Sequence, residues 1–166
     1  MGPETFARAV EALRGWKMYK TGWTKLCWPD APITGGTVVG VPGRHFGLWS
    51  LNSCRIVYVI EEKQASPLRR YGFAFGTLPG HVEGGEERFT AEWHRADHSV
   101  WYEVYAFARP IHPLASVAPP FVRLVQRRFA AASLRAMAAA DHSPSSSQEG
   151  AAPPLENLCN SSSSPS

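Results

Sequence analysis

Residues 86–110 read EERFTAEWHRADHSVWYEVYAFARP, and the alternation inside this stretch decides the fold. From Val100 to Ala108, Val100, Tyr102, Val104 and Ala106 fall on one side of an extended chain, with Trp101, Glu103, Tyr105 and Phe107 on the other. A period of two belongs to a β-strand, and aromatics on both sides predict that both faces are covered. Glu86–His94 reads as a second strand, and RADHS at 95–99 supplies the polar turn that would join the two as an antiparallel hairpin.

Upstream, five of the seven residues of CRIVYVI at 54–60 are β-branched or aromatic, which suits an internal, pleated surface. Shorter runs at Trp23–Trp28, Thr37–Val41, Phe46–Leu51 and Tyr71–Phe75, separated by Gly, Pro and Asn signals, bring the expected sheet to about six or seven strands. The polar EEKQASPLRR at 61–70 reads as a surface loop. At the N-terminus, Pro3, Glu4 and the spacing of Phe6, Ala9, Val10 and Leu13 predict a helix, ended by a left-handed cap at Gly15. A long helix is expected from Pro120 to Ala139, with Phe121, Val125, Phe129, Ala132 and Ala136 on one side and Arg123, Gln126 and Arg127 pointing away. The class is α+β: a curved antiparallel sheet with an N-terminal and a C-terminal helix.

The chain has 166 residues, 44% hydrophobic and 19% charged, a length for one domain. Residues 1–140 form that expected domain, and 141–166, with nine Ser, four Pro and no aromatic, Lys or Arg, read as a disordered tail. All 17 basic residues but only 11 of the 14 acidic ones precede the tail, so the overall +3 conceals a net charge near +6 in residues 1–140. That falls short of the basic stripe of a nucleic-acid binder. No run of eighteen apolar residues predicts a membrane span, and Glu4 and Glu11 interrupt what a secretion signal would need. Cys27, Cys54 and Cys159, odd in number and widely spaced, fit neither a disulfide framework nor a zinc site and read as buried reduced thiols.

YGFAFGTLPGHVEGGEERF at 71–89 is the least ordinary segment. Its glycines permit close backbone approach, but no Lys–Ser/Thr ending or strand-to-helix context makes it a phosphate loop. His81 with Glu86 or Glu87 is the candidate acid–base set, since imidazole and carboxylate carry protons near neutrality. On a strand Glu86 and Glu87 face opposite ways, which argues against a shared two-carboxylate site. No metal-ligand spacing, cofactor motif or nucleophile elbow is present.

FGTLPGHVEGGEERF at 75–89, VWYEVYAFARP at 100–110, Gln126 and the opening GPETFARAVEALRGWKMY together resemble uncharacterised protein family 0548, a domain-of-unknown-function family of small plant and bacterial proteins. The resemblance implies no reaction and no catalytic residue. It implies a strand-like segment ahead of the first helix, so this chain is expected to lack an N-terminal strand and any targeting segment carried with it. With that strand restored, the element order is similar to the helix-grip proteins of the pollen-allergen and lipid-transfer type. The expectation is then a non-enzymatic binder of an apolar or amphipathic small molecule between sheet and last helix, with Tyr58, Phe73, Phe75, Phe89, Tyr102, Val104, Phe121 and Val125 as candidate pocket residues. The alternatives are a hydrolase or isomerase using His81 with Glu86 or Glu87, and a module that docks a protein or an anionic membrane through the Arg-bearing last helix.

Overall fold

A computed structural model describes residues 2–45, 47–62, 66–79, 83–110 and 119–142. Helix α1 spans Gly2–Arg14, a single 3-10 turn covers Lys17–Tyr19, and five strands follow: β1 Val38–His45, β2 Leu48–Glu61, β3 Leu68–Thr77, β4 Glu83–His94 and β5 Val100–Pro110. Helix α2, Pro119–His142, comes last. The strands pair antiparallel in chain order, β1-β2-β3-β4-β5. Both helices pack on the same side of the sheet, so the architecture is two-layered α+β.

The sheet therefore has five strands among the described residues, not six or seven. Phe46–Leu51 and Cys54–Ile60 were expected to be separate, but residues 48–61 run as one strand because nothing between them breaks the ladder. The Trp23–Trp28 segment lies along the outer edge of β1: Lys25 N donates to Pro42 O (3.0 Å), Cys27 N to Gly40 O (2.9 Å), and Arg44 N to Trp23 O (2.9 Å). It reduces to one bridge, Thr24 to Gly43, because Pro42 has no amide to return. The hairpin at 95–99 forms as read, with Asp97 accepting from both Ser99 N (3.0 Å) and Ser99 Oγ (2.8 Å).

The core lies between the helices and one face of the sheet. Phe73 and Phe89 are fully buried and oppose each other across β3 and β4, with ring centroids 5.7 Å apart. Trp16 meets Phe73 edge-on at 5.1 Å, and Tyr19 touches Phe75, Phe89 and Phe129 at 6.3, 6.0 and 5.5 Å. Trp16, not Gly15, takes the left-handed conformation after α1 (φ 53°). Its buried indole, donating from Nε1 to Ala31 O at 3.2 Å, offsets the conformational cost a non-glycine bears there. On α2 the inward side is Phe129, Ala132, Ser133 and Met137 while Arg123 and Arg127 are exposed, as the wheel predicts; Gln126 is half-buried rather than turned away.

Two expectations fail for local reasons. A β-bulge between Ile56 and Tyr58 reverses the facing of everything after it on β2, sending Tyr58 to the outer side opposite Ala74. The outer side of β5 is not covered by described residues: Trp101, Tyr105 and Phe107 are 61%, 51% and 52% exposed. Of the cysteines, Cys54 is a buried free thiol as expected, whereas Cys27 is disulfide-bonded, a state its spacing does not reveal. Helix α2 continues through Asp141, which accepts from Arg8 Nε at 2.8 Å and ties the two helices together. The rest of the Ser/Pro-rich segment lies outside the described residues. Among the described residues no helix is long and apolar enough to cross a membrane.

Candidate functional site

The sequence-predicted pocket residues divide into three groups. Phe73, Phe75 and Phe89 are buried and interlock with Tyr19 and Phe129 between sheet and helix. Tyr102 and Val104 are half-buried on the inner face of β5, Val125 is half-buried on α2 itself, and Tyr102 Oη lies 2.8 Å from Ser133 Oγ. Tyr58 is on the opposite face of the sheet, where its hydroxyl donates to Glu86 Oε1 at 2.7 Å. The Phe121 side chain lies outside the described residues. Tyr19 is the residue that sequence reasoning missed: it sits in a single 3-10 turn with no periodicity, so nothing marks it as the wedge beneath α2.

His81 also lies outside the described residues. Its two candidate partners part ways, since Glu86 is on the outer face and Glu87 on the inner one, opposite Phe75. Glu87 charges the inner face. Burial raises the hydroxyl pKa of Tyr19 well above the ordinary range, and the Glu87 carboxylate adds to the effect. Burial and then Glu87 push the Cys54 thiol up to about 12, which leaves it protonated and unreactive at neutral pH. Burial likewise raises Tyr102, with Ser133 pulling the other way. Among the described residues no three His, Cys, Asp or Glu side chains converge as a metal site.

A cleft of about 630 Å³ opens elsewhere, between α1 and the ends of β2 and β3. That volume lies within the roughly 300–1,000 Å³ usual for small-molecule sites. Its apolar floor is Phe6, Ala7, Val10 and Tyr71; the helical spacing of Phe6 and Val10 and the pairing of Tyr71 with Glu61 bring these groups together. Arg14, Arg69 and Arg70 alternate around it with Glu11, Glu61 and Glu62. Arg14 stacks 5.0 Å over the Tyr71 ring, donates to Tyr71 Oη at 3.4 Å, and pairs with Glu11 and Glu61 at 3.5 and 3.9 Å. Arg70 donates from Nε to Glu62 at 2.9 Å and reaches Glu92 at 3.9 Å. Arg69 stacks 5.0 Å over Phe6. The arrangement offers an apolar bed with charged edges.

The model of a domain of unknown function, DUF1990, matches residues 1–136. A UPF0548 protein of Dictyostelium discoideum is 35% identical over 134 residues, covering 77% of this chain and 62% of that protein. A UPF0548 protein of Deinococcus radiodurans is 38% identical over 141 residues (78% and 67%), and one of Arabidopsis thaliana 31% over 130 residues (78% and 62%). The chain thus spans about two thirds or less of the length of these relatives. No solved structure matches it.

Proposed function

We propose that this chain, which belongs to the DUF1990 (UPF0548) family of unknown function, is a non-enzymatic binding domain for an apolar or amphipathic small molecule. The observation that carries the reading is the 630 Å³ cleft beside α1. None of the pocket residues expected under α2 lines it. Placement of both helices on one sheet face supports a helix-grip-like description, and the cleft is the opening that such packing leaves at the α1 end.

A neutral fluorescent probe, N-phenyl-1-naphthylamine, tests it. Wild type should enhance its fluorescence saturably, and near saturation the probe should stabilise the fold, by about 2.7 kcal/mol at a hundredfold excess over Kd. Ala7→Trp, which fills the cleft from an exposed helical position, should abolish both effects without lowering the melting temperature. No saturable binding, or binding indifferent to Ala7→Trp, overturns the reading.

A further inference from the structure

We infer that the molecule held beside α1 carries a single anionic group, read by Arg69. The inference rests on the binding reading above and adds the ligand's charge to it. Six charged side chains line the cleft, three of each sign, so net charge does not favour an anion; the pairing does. Glu11 and Glu61 are engaged by Arg14, and Glu62 by Arg70, which also reaches Glu92. Every lining carboxylate is therefore committed to one of two guanidinium groups.

Arg69 is the cation left over. Among the described residues it takes part in no ion pair and no side-chain hydrogen bond, and its guanidinium lies over the Phe6 ring. A cation–π contact uses the charge of the guanidinium and consumes none of its N–H donors. Those donors form the fork that matches a carboxylate, sulfonate or phosphate. The same ring that fixes the guanidinium is part of the cleft's apolar floor, so head-group donors and hydrophobic bed are adjacent by construction. Half-burial of Arg69 partly excludes the water that would otherwise screen such a contact.

The chemical class that fits is an amphipathic monoanion: an apolar or aromatic body with one acidic head. Two probes that share a body separate charge from shape, namely N-phenyl-1-naphthylamine and its sulfonate, 8-anilinonaphthalene-1-sulfonate. Wild type should bind the sulfonate about tenfold more tightly than the neutral amine, the ratio that about 1.4 kcal/mol produces. Arg69→Gln should erase the preference, and Arg69→Lys, which keeps the charge and guards against a folding artefact, should retain part of it. Equal affinity for both probes in wild type, with both lost in Ala7→Trp, overturns the anion inference and leaves the binding reading intact. A sulfonate preference that survives Arg69→Gln also overturns it. Binding of neither probe, or binding untouched by Ala7→Trp, defeats the underlying reading, and the inference falls with it.

Discussion

Gly72 and Gly76 lie on the same strand and the same face, yet alanine should have opposite consequences at the two. A Cβ on Gly72 would stand 2.2 Å from the carbonyl oxygen of Phe89 and 2.9 Å from Thr90 Cα, and both atoms are backbone of the paired strand. Real contacts do not fall below 3.0 Å, so β4 would have to retreat by about 0.8 Å at this point. That retreat cannot be local, because Gly72 is in the middle of a nine-pair register running from Leu68–His94 to Gly76–Glu86. It would loosen the two or so ladder hydrogen bonds that flank the site, each contributing roughly 0.5–1.5 kcal/mol. It would also open the neighbouring Phe73–Phe89 contact, in which both rings are fully buried. We expect Gly72→Ala to cost about 3 kcal/mol, which for a chain of this size lowers the melting temperature by roughly 6–12 °C. At Gly76 the nearest atoms to an added Cβ are Val57 Cγ1 at 3.7 Å and Gly85 O at 3.8 Å, ordinary contacts. Gly76→Ala should be neutral or stabilising by up to about 1 kcal/mol, since it restricts the unfolded chain without strain. Urea unfolding of the two variants in parallel, followed by tryptophan fluorescence, measures the difference. A gap below about 1 kcal/mol between them would refute the claim that backbone approach, rather than general intolerance of the sheet, requires glycine at position 72.

Other expectations concern the buried polar groups. Cys54 titrates near 12 in the fold against about 9 when unfolded, so its contribution is fully present below pH 9 and declines as pH rises toward 12, by about 1.4 kcal/mol per pH unit. Urea midpoints compared at pH 8 and pH 10 should fall in wild type and fall distinctly less in Cys54→Ala; parallel slopes would mean that other groups set the alkaline limit. Tyr102→Phe leaves the fully buried Ser133 hydroxyl without the phenol and should cost about 1–3 kcal/mol, while adding Ser133→Ala should return part of that loss. A double-mutant cycle with zero coupling would show that the pair contributes nothing as a pair.

The β4–β5 hairpin and the two helices are legible because each rests on a local signal, whether alternation, turn chemistry or a run of i, i+3, i+4 apolar residues. What escaped the sequence is what the local signal does not contain. The bulge after Ile56 moves Tyr58 across the sheet without any change in the apolar pattern of CRIVYVI, which is hydrophobic on every residue from Ile56 to Ile60 and so carries no facing information. The outward aromatics on β5 suggest a second buried face only if hydrophobicity implies coverage, and folded surfaces retain much apolar area. The cleft beside α1 was invisible for a different reason. Its lining comes from α1, the end of β2 and the start of β3, and no single motif joins the helical residues to Glu61, Glu62, Arg69 and Arg70 of the 61–70 segment. Arg69 and Arg70 sit in a stretch that composition marks as a loop, and their distinct roles depend on which carboxylates the fold places within reach.

Adjacent in sequence, Glu86 and Glu87 are divided by the thickness of the sheet, and Phe89, Ala91 and Trp93 then hold the inner face in strict alternation. Length within β4 is therefore quantised. Dropping one residue between Glu87 and Trp93 would bring Arg88, Thr90 or Glu92 onto the core side, or turn Phe89 or Trp93 toward solvent, and no side-chain rearrangement repairs a parity error. Dropping two would keep every facing and shift only the pairing with β3 and β5. Insertions and deletions of a single residue belong in the turn at 95–99, and inside β4 chain length can change in steps of two or not at all.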